Sequence, residues 1–202
     1  AYAYDNQGRV TGISYPSGVS VGYGYSNGKL TLMNATTATG VSHNVVSGIR
    51  YQPFGPAVSW SYGNGLSRNL YFDQNANAGD LRLTGLTTMD GGSTLQSLLM
   101  AYDSSDRITS ITNFMNQGYS QSYGYDALSR LTGVTSPSGN EAIQYDPTGN
   151  RTMHNWLAPI ANEVDPASNR IVRDYVSGGD GIVYTHDGRG NRTNQSWNGS
   201  TA

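Results

Sequence analysis

The stretch Tyr123-Gly-Tyr-Asp-Ala-Leu-Ser-Arg-Leu-Thr-Gly-Val134 (YGYDALSRLTGV) decides how the whole sequence is interpreted. It contains a Tyr-Asp pair, an arginine four residues after the aspartate, and then a short apolar run. The stretch Tyr4-Asp-Asn-Gln-Gly-Arg-Val-Thr-Gly-Ile13 (YDNQGRVTGI) has the same arrangement. Because the arrangement recurs along the chain, it indicates a repeated structural unit rather than a single site.

A basic residue followed by an aliphatic residue or threonine marks each unit. The marker residues are Arg9, Lys29, Arg82, Arg107, Arg130, Arg151, Arg170 and Arg192. From Arg82 onward the steps are 25, 23, 21, 19 and 22 residues, whereas the interval from Lys29 to Arg82 is 53 residues. We therefore interpret residues 1–202 as one segment of a larger repeat domain, with irregular units at about 33–80.

An aspartate precedes six of the eight markers by four or five residues, and a tyrosine precedes four of these aspartates. The predicted structural repeat positions are Tyr4, Asp5, Gly8, Arg9, Tyr102, Asp103, Arg107, Tyr125, Asp126, Arg130, Tyr145, Asp146, Gly149, Arg151, Asp165, Arg170, Asp187 and Arg192. An aspartate that begins a turn can accept hydrogen bonds from backbone N–H groups two or more residues later. The arginine then enters a strand within pairing distance of the aspartate.

A second turn is predicted about seven residues after the marker, at Pro16-Ser-Gly18 and Pro137-Ser-Gly139, because proline and glycine suit fixed turn positions. Two strands and two turns make each unit a β-hairpin, so the predicted fold class is all-β, built from antiparallel hairpins. In the second strand, Val19, Val21, Tyr23 and Tyr25 alternate with small residues and share one face.

The first strand of each unit has apolar residues one and four places after the marker, which strict alternation would put on opposite faces. Glycine lies between them at Gly12, Gly85 and Gly133. A β-bulge at this point would restore a single apolar face, and a strand buried on both sides is equally allowed. The segment Leu95–Tyr102 leads into a Tyr-Asp turn, so we predict a buried strand there.

The composition excludes several classes of protein. Only 13% of residues are charged and the net charge is −2, with no basic block, which argues against binding of nucleic acid. No run of 18 apolar residues is present, so no membrane-spanning helix is predicted. Because the chain has no cysteine, disulfides and thiolate metal sites are impossible.

The sequence resembles the Rhs/YD-repeat family, through YDNQGRVTGI, AYDSSDRITSI, GYDALSRLTGV, QYDPTGNRT and the segment that joins Tyr51-Gln-Pro-Phe-Gly55 to Trp60-Ser-Tyr-Gly-Asn-Gly65. The resemblance implies a spiralling antiparallel sheet that forms part of a hollow, cocoon-like shell, as in bacterial Rhs polymorphic toxins, the C component of insecticidal toxin complexes and the teneurins. Such a shell encloses a C-terminal toxin polypeptide until delivery.

The resemblance also implies partners and a location. The partners would be the remaining shell segments of the same gene product, the enclosed toxin, and, for a type VI secretion effector, a spike protein and a chaperone. The protein would be bacterial, made in the cytoplasm and exported for interbacterial competition. We expect no enzymatic activity in this segment, and no catalytic, cofactor-binding or metal-binding residue.

Four groups of residues are candidate sites. Asp146-Pro147 and Asp165-Pro166 are similar to the self-cleaving aspartyl-protease-like motif of the family, but both aspartates occupy the repeat position. The histidines His43, His154 and His186 lack metal-ligand spacing, and Ser177, Asp180 and His186 lack the sequence signature of a hydrolytic nucleophile. Asp73–Asp80 lacks the closing glutamate of a calcium loop, so we predict a long hairpin turn there.

The preferred function is therefore a structural one, encapsulation, with the Ser/Asn/Thr-rich face suited to a wet interior. The alternative is a cell-surface module that binds carbohydrate through stacked rings such as Trp60, Trp156 and Trp197. A glycosidase ranks last, because nearly all the acidic residues are explained by turns.

Overall fold

The computed structural model describes residues 1–53, 55–73, 81–155, 159–176 and 179–198. These residues form 18 β-strands and one short 3₁₀ turn, Gln117–Tyr119, and the described part of the chain contains no α-helix. The strands are β1 (Tyr2–Tyr4), β2 (Val10–Ser14), β3 (Ser20–Ser26), β4 (Lys29–Thr36), β5 (Ser42–Tyr51), β6 (Ala57–Tyr62), β7 (Leu66–Phe72), β8 (Leu83–Asp90), β9 (Ser93–Tyr102), β10 (Ile108–Asn113), β11 (Gln121–Tyr125), β12 (Leu131–Ser136), β13 (Gly139–Tyr145), β14 (Arg151–Asn155), β15 (Pro159–Asp165), β16 (Arg170–Val176), β17 (Gly181–His186) and β18 (Arg192–Trp197).

The chain divides into two units, residues 1–101 with 113–115, and residues 102–112 with 116–202. In the first unit the strands β1 to β9 follow one another, and each pairs antiparallel with the next. In the second unit β10 to β18 are paired in the same way. The prediction of an all-β fold made of antiparallel hairpins is confirmed.

Short turns connect the strands where the sequence predicts them. Gly18 has φ of 80° and donates its N–H to the Tyr15 carbonyl at 3.0 Å. Ser136 lies opposite Gly139, so the second predicted turn has two residues between its strands. The Asn27–Gly28 pair also forms a two-residue turn, with φ of 49° and 77°, the backbone that favours Asn-Gly in tight hairpins.

The predicted β-bulge is present, and the extra residue is a threonine. Ala3 lies opposite Gly12 and Tyr4 opposite Val10, so Thr11 has no partner and Val10 shares a face with Ile13. The same shift occurs at Thr31, Thr84, Thr132, Thr152 and Thr193. The hydroxyls of Thr31 and Thr84 donate to the carbonyls of Gly24 and Tyr71, each at 3.2 Å, which ties the bulge to the facing strand.

The two faces of the second unit differ in chemistry. The register places Tyr123, Leu131 and Val134 on one face, and small residues such as Ser122 and Gly124 on the other. Val134 and Tyr184 are the most buried apolar residues, each 8% exposed, and no described side chain is less than 2% exposed. The described apolar side chains are therefore sheltered mainly by neighbouring strands, and these residues form no enclosed core.

The segment 95–102 forms most of β9, so the predicted strand is confirmed. Its predicted burial is wrong, because Leu95 and Leu99 are 53% and 48% exposed. Leu99 lies opposite Gly85, which has no side chain to cover it. Residues 74–80 lie outside the described residues, so the predicted long turn is flanked by β7 and β8 but is not itself described.

Candidate functional site

Three aspartate turns have the same hydrogen bonds and are called here the Arg-type turns: Asp5–Arg9, Asp103–Arg107 and Asp126–Arg130. In the third, Asp126 Oδ1 accepts from the N–H groups of Leu128 and Arg130, both at 2.9 Å. Asp126 Oδ2 accepts from Arg130 Nε at 2.7 Å, and the equivalent distance is 2.7 Å in the other two turns. The aspartate thus closes the turn and orients the arginine, as the sequence predicts.

The residue before each arginine adopts the left-handed conformation. Gly8 has φ of 78°, while Asp106 and Ser129 both have φ of 62°. Glycine takes this conformation without penalty, whereas a residue with a Cβ atom is disfavoured by about 1–2 kcal/mol. The turn therefore keeps the same left-handed conformation when the residue is Asp106 or Ser129 instead of glycine.

Each arginine of an Arg-type turn also reaches the next hairpin. The Arg130 guanidinium lies 4.6 Å from the centroid of the Tyr145 ring, and Nη1 donates to the Asp146 carbonyl at 3.2 Å. The Tyr145 hydroxyl donates in turn to the Leu131 carbonyl at 2.9 Å. The tyrosine that precedes one aspartate is thus held by the preceding turn, through its ring and its hydroxyl.

This coupling between successive hairpins recurs in both units. Arg107 stacks on Tyr125 at 4.9 Å, and its Nη1 donates to the Asp126 carbonyl at 3.2 Å. Arg9 stacks on Tyr25 at 4.5 Å. Lys29 replaces the arginine at one step, with Nζ 4.8 Å from the Tyr51 ring. We call this series of contacts the turn ladder.

Two turns lack the arginine and are called here the Asn-type turns: Asp146–Asn150 and Asp187–Asn191. Asn150 Nδ2 donates to Asp146 Oδ2 at 2.9 Å, and Asn191 makes the same bond to Asp187 at 2.9 Å. The assignment of Arg151 and Arg192 to the arginine position of the repeat is therefore wrong.

These two arginines lie one residue further along the chain, at the position that an aliphatic residue fills elsewhere. Arg151 is exposed and opposite Tyr145, and Arg192 is exposed and opposite His186. Arg192 stacks on Tyr184 of its own hairpin at 3.9 Å. An asparagine is too short to stack on a ring of the following hairpin as Arg130 does. Asn150 contacts the following turn, Asp165–Arg170, through a hydrogen bond that it donates to Asn169 Oδ1 at 2.6 Å.

The turn at Asp165–Arg170 is longer than the others. Asn169 has φ of 55° and donates its N–H to the Asp165 carbonyl at 2.7 Å. Arg170 bridges to the following turn, where Nη1 donates to the Asp187 carbonyl at 3.0 Å. The remaining predicted positions are Tyr102, half-buried at the end of β9, and Tyr4, which is 60% exposed and stacked on Tyr2.

The turn carboxylates are held in their ionised form. Backbone N–H donation from Arg130 lowers the pKa of Asp126, with a smaller opposing effect of burial. The side chain of Asn150 does most to lower the pKa of Asp146, to about 2. The side chain of Ser168 likewise lowers the pKa of Asp165. These shifts follow from hydrogen bonds to the charged form.

The two Asp-Pro elements therefore do not have the properties of an acid protease pair. Two carboxylates that share a proton would have one raised pKa, whereas the pKa values of Asp146 and Asp165 are both lowered. Each carboxylate accepts hydrogen bonds within its own turn. The structural interpretation of these residues is the one that fits.

The remaining candidate residues are the histidines, Ser177 and Trp156. Within the described residues, no group of three or more histidine or acidic side chains could hold a metal ion. His154 lies 3.7 Å from Glu141, and Ser177 and Trp156 lie outside the described residues. No helix in the described part of the chain is long and apolar enough to cross a membrane.

The fold and the turn ladder define a β-hairpin repeat protein in which the turns of successive hairpins contact one another at most steps. Residues 116–141, which contain the Asp126 turn, match the family model of the RHS Repeat. The chain therefore carries an Rhs repeat, and the resemblance to the Rhs/YD-repeat family is confirmed.

Solved structures share this fold at low sequence identity. The crystal structure of TcdB2-TccC3-Cdc42 matches 95% of the chain with a TM-score of 0.76 and 18% identity, and that of TcdB2-TccC3 without its hypervariable C-terminal region matches 95% with 0.75 and 19%. The structure of TcdB2-TccC3-TEV matches 96% with 0.71 and 17%. The chain spans only 12% to 13% of the length of these chains. No curated protein matches the sequence.

Proposed function

We propose that the chain is a segment of the wall of an Rhs-type shell that encloses a C-terminal toxin polypeptide until delivery. Its role is structural: it contributes surface and edges to a container and takes no part in chemistry. The proposal rests first on the turn ladder, in which side chains of one turn contact the following hairpin.

The turn ladder is the observation that carries the proposal. A single hairpin has marginal stability in water, and stacked repeats gain stability from contacts with their neighbours. The Arg107–Tyr125 and Arg130–Tyr145 contacts are such stabilising contacts between neighbouring hairpins, located at the turns. A sheet held in this way can be extended by further hairpins and needs no second layer, which suits a wall.

The low burial of the apolar face supports the same function. Val134 and Tyr184 are exceptions on a face whose other described apolar side chains stay partly exposed. A wall that surrounds another polypeptide has reason to keep such a face available. The match to TcdB2-TccC3 supports the proposal through the fold, and the toxin itself, type VI delivery, export, the spike protein and the chaperone belong to the proposal.

The carbohydrate-binding alternative lacks a row of rings. Trp60 is half-buried and packs edge-on against Tyr62 at 6.1 Å, whereas Trp197 is 61% exposed. The described residues thus present one exposed tryptophan where stacked sugar binding would use several. We therefore do not propose this function.

The test is the intact mass of the native gene product that contains this chain, together with a low-resolution image of it. We expect a much longer product that forms a hollow particle and retains a cleaved C-terminal peptide inside. A stable monomer near 21.6 kDa would contradict the proposal, because the repeats would then stand alone.

A further inference from the structure

The second unit contains a small cavity on the face that carries Tyr123 and Val134, between the strands β14 to β18. It has a volume of about 180 Å³ and is lined by His154, Ile160, Asp174, Asp180, Ile182 and Trp197, among others. Pockets for drug-sized ligands are larger, about 300–1,000 Å³. This cavity has room for one side chain rather than for a whole ligand.

The register brings the main lining residues together from separate strands. His154 lies opposite Ile160, Asp174 opposite Ile182, and Ile182 opposite Trp197. Directly opposite residues share a face of an antiparallel sheet, so the aliphatic, aromatic and acidic side chains all line the same side. Trp197, at 61% exposure, forms an open aromatic edge to the cavity.

Acceptors dominate the polar groups of this cavity. The Asp174 carboxylate accepts from Asn162 Nδ2 and from the Tyr184 hydroxyl, which lies 2.7 Å away. Both donors are neutral, so the negative charge is not compensated. Among the described residues, neither Asp174 nor Asp180 forms an ion pair with a cation, and Arg192 stacks on Tyr184 without lining the cavity.

The cavity therefore combines two carboxylates that lack a cation among the described residues with an aliphatic wall and an aromatic edge. Asn162 does not line the cavity, and its buried Oδ1 is not offered to a ligand. Carboxylates beside an aromatic edge favour a group that carries N–H donors and a positive charge.

We propose that this cavity binds the side chain of a lysine or arginine in a polypeptide held against the face. The alkyl stem would pack on Ile160 and Ile182, the charged end would meet Asp174 and Asp180, and Trp197 would cover the open side. The inference rests on the cavity and holds whether or not the chain is a shell wall.

The test uses the indole N–H resonance of Trp197, with Trp60 as an internal control that lies in the other unit. Titration with blocked Gly-Lys-Gly should shift the Trp197 signal in a saturable way and leave Trp60 unchanged. The same peptide with norleucine, which has the stem but no charge, should bind at least fivefold more weakly. Asp174→Asn should bring the two affinities within twofold of each other.

Several results would overturn the proposal. Equal binding of the lysine and norleucine peptides would make the cavity an apolar one, and no shift would mean that it is not a site. Binding of n-butylammonium without binding of the peptide would assign it to small free amines. If Asp174→Asn fails to fold, Asp180→Asn should still weaken lysine-peptide binding at least twofold while norleucine-peptide binding is unchanged, and an unchanged lysine affinity would contradict the charge recognition.

Discussion

The Arg-type and Asn-type turns are closed by the same kind of hydrogen bonds, but they differ in how they contact the following hairpin. In both, the aspartate accepts backbone N–H groups and a side-chain N–H from the residue four places later, as in Asp126–Arg130 and Asp146–Asn150. Only the arginine is long enough to contact the Tyr145 ring and the carbonyl of the following turn. Closing a turn and joining hairpins are therefore separate functions of one position.

The presence of arginine or asparagine four residues after the aspartate determines how the repeat tolerates substitution. An asparagine keeps the turn closed, so the strands on either side retain their register. It gives up the stacking on a ring of the following hairpin, and Asn150 keeps only a hydrogen bond to Asn169 in the following turn. Variation at this position should alter the coupling between hairpins more than the hairpins themselves.

Acid should have the largest effect, because it acts on what both types of turn share. The folded-state pKa values of Asp5, Asp126, Asp146, Asp165 and Asp187 are lowered, so the ionised aspartates stabilise the fold above the unfolded value of about 3.9. That contribution is lost as the pH falls through the folded values. We expect the free energy of unfolding to fall between about pH 4 and pH 2, as measured by denaturant unfolding.

Asp146, in an Asn-type turn, allows a test at a single residue, because its pKa is lowered to about 2. The side-chain carboxyl resonance of Asp146 should titrate with a midpoint near that value. A midpoint near 4 would show that the turn hydrogen bonds do not hold the ionised form.

Removal of a tyrosine ring on which an arginine stacks should have the next largest effect on the free energy of unfolding. Tyr125→Ala loses the stacking on Arg107 and the hydroxyl bond to the Ile108 carbonyl, and should lower the free energy of unfolding by about 2–3 kcal/mol. Tyr125→Phe removes only the hydrogen bond and should cost about 1 kcal/mol. Denaturant unfolding of both variants measures these values.

A matched control exists at the same repeat position. Tyr4 is 60% exposed, so Tyr4→Ala should change the free energy of unfolding by less than about 0.5 kcal/mol. Equal losses at the two tyrosines would mean that the stacked arginine contributes nothing.

Conversion of one type of turn into the other tests the comparison itself. Arg130→Asn should keep the turn of Asp126 but lose the contacts with Tyr145 and Asp146, at a cost of about 1–2 kcal/mol. Arg151→Asn, on an exposed arginine next to an Asn-type turn, should be nearly neutral. A larger loss at Arg151 than at Arg130 would reverse our assignment of the two positions.

The smallest effect concerns the left-handed residue of each turn. Ser129 has φ of 62°, so Ser129→Gly should remove the strain at the Cβ atom, about 1–2 kcal/mol. The change also removes the hydrogen bond that the Ser129 hydroxyl accepts from Arg107 Nη1 at 3.3 Å, so we expect a net stabilisation of about 0.5 kcal/mol. Gly149, with φ of 96°, offers the reciprocal change, and Gly149→Ser should destabilise by a similar amount. The two substitutions should shift the thermal midpoint in opposite directions, and shifts of the same sign would contradict the conformational argument.

The sequence predicts the hairpins and the aspartate turns because their signals are local. The spacing from Asp5 to Arg9 and the alternation in Val19–Tyr25 depend on a few adjacent residues. The β-bulge is predicted between Val10 and Ile13, but the extra residue is Thr11 and not Gly12, since only the pairing with β1 distinguishes them.

Other features are missed because they depend on pairing across hairpins. Arg151 is wrongly matched to Arg130 because the repeat is aligned on its basic residues. Alignment on the aspartates places Asn150, four residues after Asp146, at the position of Arg130. The contact between Arg130 and Tyr145 depends on the register of three strands, although the tyrosine before the next aspartate, Asp146, is its sequence signal. The cavity at Asp174 draws on several strands and has no local signal at all.

The most direct test of the turn ladder is a double-mutant cycle on Arg130 and Tyr145, with Arg130→Ala and Tyr145→Leu made singly and together. We predict a coupling free energy of about 1 kcal/mol, since the guanidinium and the ring contact each other across hairpins. The control cycle on Arg107 and Tyr145 should be additive, because Arg107 stacks on Tyr125 instead. Additive effects in both cycles would contradict the claim that the turns join one hairpin to the next.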